Sequence, residues 1–98
     1  MKVTHKIEDI DFEWDSEKAE ENIIKHDVTF PEACEVFLDP FVQPVDAREV
    51  DGEAREAVVG LTKKWSLLHV AYVWREFALR IISAHKATKP QRKAYENQ

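Results

Sequence analysis

Glycine and cysteine are scarce in this chain of 98 residues, which contains two glycines and one cysteine. With Cys34 as its only thiol, the chain can form no internal disulfide, and a reducing cytoplasm is its natural compartment. Gly52 and Gly60 are too few to build a glycine-rich loop that cradles a phosphate. These absences exclude disulfide-stapled secreted scaffolds and nucleotide-binding folds of the glycine-loop kind.

Long apolar runs and familiar catalytic signatures are also missing. No run approaches the roughly 20 apolar residues that a membrane helix needs, and the N-terminus lacks the apolar core of a signal peptide. The four histidines and single cysteine show no metal-ligand spacing, and there is no serine-hydrolase motif. The sequence therefore predicts a cytoplasmic protein with no membrane partner, no metal and no cofactor.

Charge is abundant but unevenly distributed along the chain. Hydrophobic residues make up 44% and charged residues 34% of the chain, which is typical of one globular domain. Residues 1–49 hold 14 acidic and 5 basic residues, whereas residues 50–98 hold 5 acidic and 9 basic residues. The net charge of -5 argues against a nucleic-acid partner, but this segregation allows one face for phosphates and another for a basic protein. A solvated surface without a partner is the alternative.

The N-terminal half predicts one strand followed by two helices. Apolar and acidic residues alternate over residues 10–15, which is the pattern of a short strand. A helix follows and runs to about His26, with acidic residues near its start and basic residues at its end. Thr29 and Glu32 form a capping box that begins a second helix, and Pro40 ends it.

The C-terminal half predicts strands joined by short turns and then a last helix. Pro44 allows only a short edge strand in the segment after the second helix, and Asp51-Gly52 is typical of a turn. Short connections between the strands that follow force them to be antiparallel neighbours. A second capping box, Thr88 to Gln91, begins the C-terminal helix. The three closely spaced strands are predicted at residues 57–62, 66–74 and 77–83.

The order of these elements predicts an α+β fold. It has an N-terminal strand and two helices, an antiparallel sheet of three to four strands, and a C-terminal helix. Residues 1–9 are interpreted as an N-terminal extension, and residues 10–98 as a single domain.

The last predicted strand carries the residues most suited to chemistry. Strict alternation places Ser83 on one face with Ile81, and Arg80 on the other face with Ala84. His85 and Lys86 follow at the end of the strand, and Lys89 lies just beyond them. Cleavage of RNA without a metal needs a base for the 2′-hydroxyl, cations for the phosphorane and an acid for the leaving oxygen.

Plainer interpretations exist for each of these residues and remain open at this point. Arg80 can pair with a carboxylate on a neighbouring strand, such as Glu56, and His85 can be a surface residue in a loop. His69 in mid-strand is interpreted as a packing or satisfied polar group, and His26 as a residue that stabilises a helix end. Exposed tryptophans can stack on bases, although Trp14 is better explained as core.

A set of motifs spread over about residues 10–96 resembles one known family. The motifs include Phe12-Glu13-Trp14-Asp15, Lys25-His26, Val36-Phe37, Asp39-Pro40, Glu53 and Arg55 followed by Gly60, Arg75, Arg80-Ile81-Ile82-Ser83-Ala84, Lys86-Ala87-Thr88, Arg92 and Tyr95. On these residues the chain resembles the BrnT family of ribonuclease toxins. Their combined pattern is far more specific than any one motif alone.

The resemblance implies the toxin of a bacterial type II toxin–antitoxin system. It implies a RelE-like fold and metal-independent cleavage of RNA that inhibits translation. It also implies neutralisation by a BrnA-like antitoxin, with DNA contacted only indirectly through that antitoxin. His85 stands where the family usually has Arg, and an imidazole is mostly neutral at pH 7. A catalytically weakened protein that binds the antitoxin or RNA is therefore the alternative function.

The resemblance and the charge pattern together predict the site residues. The predicted catalytic residues are Arg80, His85, Lys86, Glu53 and Arg55. In this hypothesis His85 or Glu53 is the base, Arg55 and Arg80 stabilise the phosphorane, and Arg80→Ala abolishes toxicity without unfolding the chain. The predicted RNA-binding residues are Arg75, Lys64, Lys89 and Arg92.

Overall fold

The fold combines one mixed β-sheet with three α-helices. The computed structural model describes residues 1–98, apart from the side chain of Ala47. The strands are β1 (Lys2–Ile7), β2 (Ile10–Asp15), β3 (Gln43–Val50), β4 (Glu53–Leu61), β5 (Leu67–Trp74) and β6 (Leu79–Lys86). The helices are α1 (Ser16–His26), α2 (Phe30–Glu35) and α3 (Lys89–Glu96), with a 3₁₀ turn at Val36–Leu38.

The strands form a six-stranded sheet in the order β1-β2-β6-β5-β4-β3. Neighbours are antiparallel except β2 and β6, which run parallel and pair only at Phe12 with Leu79 and Glu13 with Arg80. The sequence predicted three to four antiparallel strands, and the consecutive hairpins β3-β4-β5-β6 match that part. The parallel join was missed because it connects distant parts of the chain, and no turn signal marks such a contact.

Residues 1–9, interpreted as an extension, contribute a full edge strand to the sheet. β1 pairs with β2 from Lys2 opposite Asp15 to Ile7 opposite Ile10. The amino group of Met1 also lies 3.0 Å from the Asp15 carboxylate. Val3 and Ile7 pack against the core, and this period-two spacing is what turns a polar segment into a strand.

Local signals in the sequence set several element boundaries as predicted. The capping boxes Thr29–Glu32 and Thr88–Gln91 are both formed, and they begin α2 and α3. The Asp51-Gly52 turn joins β3 to β4 with φ values of 50° and 78°. Positive φ at both central residues is typical of a two-residue hairpin turn, and Asp and Gly tolerate it.

The core lies on one face of the sheet, beneath α1, α2 and the 3₁₀ turn. Gly60 lets the turn approach β4 closely, since a Cβ there would lie 3.0 Å from the Cβ and carbonyl oxygen of Val36. Burial raises the pKa of the Cys34 thiol in α2 to about 12, so this thiol stays protonated and acts as an apolar group. The core side chains include Phe12, Trp14, Phe30, Cys34, Val36, Val58, Leu68, Val70, Tyr72, Leu79, Ile81 and Ala84.

Candidate active site

The opposite face of β4, β5 and β6 carries a concave cleft of about 380 Å³. Across its floor Ala57 pairs with Ala71, and Ala71 pairs with Ser83. Side chains of this size leave a depression in the surface of the sheet. In the neighbouring row His69 lies opposite both Val59 and His85, so two imidazoles border the depression.

A β-bulge in β6 places His85 on this face. The register between β5 and β6 shifts after Tyr72, so that Ile81 pairs with Tyr72 but Ser83 pairs with Ala71. The extra residue, Ile82, reverses the direction of every later side chain. Strict alternation had predicted Ser83 beside Ile81 and Ala84 beside Arg80; instead Ala84 joins the core and Ser83 lines the cleft. That prediction was wrong because an alternating pattern does not reveal a bulge.

The cleft combines basic groups with groups that can transfer protons. β3 contributes Asp46 and Arg48, and the hairpin turn places Arg48 opposite Arg55 of β4. Two guanidiniums and two imidazoles around a concave surface are suited to bind an anion and to move protons beside it. The polar residues lining the cleft include Asp46, Arg48, Arg55, Glu56, His69, Ser83, His85 and Gln91.

His69 and His85 stack face to face in the cleft. Their ring centroids lie 4.7 Å apart with planes inclined by 13°, and the ring of His26 lies 5.5 Å from that of His85. Nδ1 of His85 is 2.8 Å from the carbonyl oxygen of Lys86. Because a carbonyl only accepts, we assign the hydrogen to Nδ1 of His85. In the neutral ring Nε2 then keeps its lone pair and can act as a base.

Three buried polar atoms in this region have no hydrogen-bond partner among the described residues. They are Nε of Arg55, Oε2 of Glu56 and Nδ1 of His69. Arg55 and His69 lie on the face of the cleft, whereas Glu56 pairs with Tyr72, whose side chain belongs to the core on the other face. Buried polar atoms are paired in the great majority of cases, so each unpaired one calls for an explanation. The two on the cleft face, Nε of Arg55 and Nδ1 of His69, are consistent with a site organised for a polar ligand.

The environment of His69 favours its neutral form. Burial lowers the pKa of His69, and the positive charge that His85 can carry lowers it further, while the carboxylate of Asp46 opposes both effects. His69 is therefore neutral at pH 7 in the free protein.

Two of the predicted catalytic residues, His85 and Arg55, line the cleft together. Arg80 does not join them, since its guanidinium lies 2.9 Å from the Glu13 carboxylate on β2. This is the plainer interpretation of Arg80, with Glu13 as the partner in place of Glu56. Burial would raise the pKa of Glu13, but hydrogen bonds from Arg80 and Lys2 outweigh it and hold that pKa below its usual value.

The other predicted site residues lie around the cleft rather than in it. Glu53 pairs with Arg75 at 3.0 Å, in a separate depression beside Trp74. Arg92 of α3 lies 3.9 Å from Glu96. The side chains of Lys64, Lys86 and Lys89 are exposed.

The cleft residues that the sequence analysis did not predict include Asp46, Arg48 and His69. Counting outward from the Asp51-Gly52 turn would have placed Arg48 opposite Arg55, as observed. His69 had been interpreted as a packing or satisfied polar group. Its position opposite His85 depends on the bulge in β6, and we find no sequence signal that would have shown it.

A second depression, of about 360 Å³, is mainly apolar. It exposes Phe41 and Trp65, whose exposed fractions are 61% and 81%. The carboxylate of Asp39 at its rim already accepts hydrogen bonds from the Leu61 amide and the Tyr95 hydroxyl. This surface has fewer groups available for chemistry than the histidine cleft, which we therefore take as the candidate active site.

Comparisons with known proteins are consistent with this architecture. A search of curated proteins found no match. In the described part of the chain, no helix is long and apolar enough to cross a membrane, and no three His, Cys, Asp or Glu residues are grouped to hold a metal ion. The crystal structure of the Brucella abortus ribonuclease toxin BrnT matches with a TM-score of 0.58 and 24% identity, covering 78% of this chain and 94% of that one.

That structural likeness shows the fold, an α+β arrangement like that of BrnT. The family follows from the sequence itself. The family model described as the ribonuclease toxin BrnT of type II toxin–antitoxin systems matches residues 14–91. Because this match spans most of the chain, the protein belongs to the BrnT family of ribonuclease toxins.

Proposed function

We propose that the chain is a metal-independent endoribonuclease toxin and that the histidine cleft is its active site. The observation that carries this proposal is the convergence of Arg48, Arg55, His69 and His85 on one concave surface. Buried polar atoms without partners lie in that same surface. A cleft with these groups can bind a phosphodiester and transfer the protons that its cleavage requires.

In the proposed reaction His85 acts as the general base. Its Nε2 takes the proton of a ribose 2′-hydroxyl, and the 2′-oxygen then attacks the adjacent phosphorus. Arg55 and Arg48 stabilise the negative charge that develops on the phosphorane. The bond from phosphorus to the 5′-oxygen breaks, which leaves a 2′,3′-cyclic phosphate and a 5′-hydroxyl after that oxygen is protonated. Glu53, the other base considered, is held by Arg75.

The surrounding cations extend the proposed RNA-binding surface. Exposed basic side chains supply sequence-independent attraction to the RNA backbone. They are Arg75, Lys64, Lys86, Lys89 and Arg92. We assign Arg80 a supporting role at the junction of β2 and β6 because its guanidinium pairs with Glu13.

The proposed cellular role is inhibition of translation through loss of RNA. Toxin and antitoxin systems of type II pair the toxin with a protein, and we propose a BrnA-like antitoxin as the partner. The acidic first half of the chain, with 14 acidic and 5 basic residues, suits a basic antitoxin segment. DNA would be contacted only through the antitoxin, and the site of action is the bacterial cytoplasm.

Expression of the chain alone, followed by assay of the purified protein on RNA in EDTA, tests this function. We expect growth arrest and EDTA-resistant cleavage. His85→Ala should lower the cleavage rate about 10²- to 10⁴-fold, and Arg55→Ala about 10²- to 10³-fold. Lys6→Ala removes an exposed cation from β1 and serves as the control, with the rate unchanged.

The contrary outcome separates the two functional hypotheses. A folded chain that binds RNA or an antitoxin, but neither arrests growth nor cleaves RNA, would be the catalytically weakened module. Activity that EDTA abolishes would contradict the metal-independent mechanism.

A further inference from the structure

We propose that His69 is the second proton-transfer group of the cleft: it takes up a proton when RNA binds and donates it to the leaving 5′-oxygen. This inference rests on the proposed ribonuclease function, in which His85 is the base. The sequence analysis had interpreted His69 as a packing or satisfied polar group. In the present inference His69 supplies the general acid that the reaction needs.

The position of His69 fits this role. The register sets His69 directly opposite His85 on the neighbouring strand, and the two rings stack with centroids 4.7 Å apart. In the phosphorane the attacking and leaving oxygens lie on opposite sides of one phosphorus. Two imidazoles this close, on strands that fix their positions, can serve the two oxygens of a single phosphodiester.

The buried Nδ1 of His69 supports a role with a ligand rather than in packing. A packing histidine normally has its buried nitrogen hydrogen-bonded, yet this Nδ1 has no partner among the described residues. The floor beside it is made of Ala57 and Ala71, so the small side chains leave space next to the ring. Because Nδ1 is buried, Nε2 is the nitrogen of His69 that can contact a ligand oxygen in the cleft.

The charges around His69 explain why its proton arrives with the substrate. His85 stacks on His69, His26 lies beyond His85, and Arg48 and Arg55 also line the cleft. Burial and the charge that His85 can carry lower the pKa of His69 in the free protein, while Asp46 and a backbone hydrogen bond of His69 oppose them. A bound phosphodiester brings negative charge among the cations, which favours protonation of His69.

The protons balance over one turnover. His85 receives the proton of the 2′-hydroxyl as the bond from the 2′-oxygen to phosphorus forms. Protonated His69 gives its proton to the 5′-oxygen as the bond from phosphorus to that oxygen breaks. His85 then releases its proton to water, and neutral His69 gains one again when the next RNA binds.

The first test measures proton uptake on binding without cleavage. A 2′-O-methyl RNA oligonucleotide, which lacks the attacking hydroxyl, is titrated into the protein at pH 7 by calorimetry in buffers of different ionisation enthalpy. We expect an uptake approaching one proton for the wild type and a clearly smaller uptake for His69→Phe, which keeps an aromatic ring on His85. Binding without any proton uptake in the wild type would overturn the proposal.

The second test changes the leaving group. RNA carrying a bridging sulfur in place of the 5′-oxygen at a mapped cleavage site has a leaving group that needs no proton. On ordinary RNA, the cleavage rates of His69→Asn and His69→Phe should fall about 10²-fold or more. The decline of the cleavage rate at alkaline pH should also disappear, because no general acid remains to be deprotonated. On the sulfur-containing RNA their rates should approach that of the wild type, whereas His85→Asn should remain slow.

The outcomes distinguish failure of this inference from failure of the proposed function. Equal losses by the His69 variants on both RNAs would indicate a structural role, and wild-type rates on both would show that His69 is dispensable. Either result overturns the inference while RNA cleavage by the wild type stands. A wild type that cleaves neither RNA would instead overturn the proposed function. Thermal unfolding confirms that each variant is folded.

Discussion

Arg55 and Arg80 carry the same functional group on neighbouring parts of the sheet, but their surroundings differ. The Arg80 side chain is 25% exposed, and its guanidinium lies 2.9 Å from the carboxylate of Glu13, whose side chain is 12% exposed. This ion pair joins the two strands at their short parallel contact. Nε of Arg55 is buried without a partner in the described chain. The other guanidinium nitrogens of Arg55 are therefore the ones that can donate hydrogen bonds to a ligand in the cleft.

This difference leads to a prediction for Arg80→Leu that departs from the one based on sequence alone. Loss of the guanidinium leaves the partly buried Glu13 carboxylate with Lys2, 3.4 Å away, as its remaining cationic partner. We expect the free energy of unfolding to fall by about 1–3 kcal/mol, with the cleavage rate of the folded protein kept within a few-fold of wild type. Urea unfolding and RNA cleavage measure the two quantities.

Arg55→Leu is the matched control and should show the reverse pattern. We expect it to lower cleavage strongly while changing stability much less, because the guanidinium Nε has no hydrogen bond to lose. Complete loss of cleavage by a fully folded Arg80→Leu protein would contradict this assignment and support Arg80 as a catalytic residue.

At the scale of elements, a side chain of α1 hydrogen-bonds the backbone of β6 where β6 has no neighbouring strand on that side among the residues that the structure describes. β2 pairs with β6 only up to Arg80, so the backbone farther along β6 needs other partners. The Asn22 side chain accepts a hydrogen bond from the Ala84 amide at 3.1 Å and donates to the Ala84 carbonyl at 2.8 Å. It also donates to the Val28 carbonyl at 2.9 Å. This contact fixes α1 and sets His26 beside His85.

Asn22→Ala should therefore loosen α1 from the sheet. The substitution leaves the Ala84 amide and the carbonyls of Ala84 and Val28 without these bonds in a buried setting. We expect the free energy of unfolding to fall by about 2–4 kcal/mol and the Ala84 amide to exchange hydrogen faster. Urea unfolding and hydrogen exchange measure these effects, and Lys25→Ala on the exposed surface of the same helix is the control. A loss below about 0.5 kcal/mol would contradict the assigned role.

At the scale of the whole molecule, a few carboxylates join segments that are distant in sequence. Asp39 accepts hydrogen bonds from the Leu61 amide at 2.9 Å and from the Tyr95 hydroxyl at 2.6 Å, which connects α3 to β4. Burial would raise the pKa of Asp39, but these hydrogen bonds outweigh it and lower that pKa. Burial and the hydrogen bond to Asp39 raise the pKa of Tyr95 to about 12.

These shifts predict stability that falls at both ends of the pH range. The lowered pKa values of Glu13 and Asp39 contribute stability above their ordinary values of 4.5 and 3.8. That contribution is lost as pH falls through the values in the folded protein. His69 also has a lowered pKa, so the unfolded chain takes up a proton at this residue before the folded chain does. The free energy of unfolding therefore begins to fall below about pH 6.5.

On the alkaline side the sign is reversed. The stabilising contribution of Tyr95 is complete below its ordinary pKa of 10 and is lost as pH rises through about 12. The raised pKa of Cys34 acts in the same direction from its ordinary value of 9, so urea unfolding across pH should show greatest stability between about pH 7 and pH 9. Tyr95→Phe should weaken the alkaline decline. A stability maximum near pH 4 would contradict this account.

Some of the fold could be predicted from sequence because its signals are local. The capping boxes Thr29–Glu32 and Thr88–Gln91 each satisfy backbone groups within one helical turn. The Asp51-Gly52 turn is specified by two residues that tolerate positive φ. Resemblance over many motifs identified the family, which the match over residues 14–91 confirms.

Pairing between distant segments could not be predicted in the same way. The contact of β2 with β6 joins the start of the chain to its end, and the Glu13 partner of Arg80 follows from that contact. The sheet has six strands because this contact adds β2 to it and because β1, interpreted as an extension, pairs with β2 in a local hairpin. A sequence specifies the alternation within each strand, but which strands become neighbours depends on how the whole core packs.

The sequence by itself determined the family, the helix starts, the hairpin order and the presence of His85 and Arg55 as candidates. Only the tertiary structure decided which cations share a cleft, because one bulged residue in β6, Ile82, reverses the side chains that follow it. Since a shift of one residue exchanges the two faces of a strand, that bulge sets His85 opposite His69 rather than in the core.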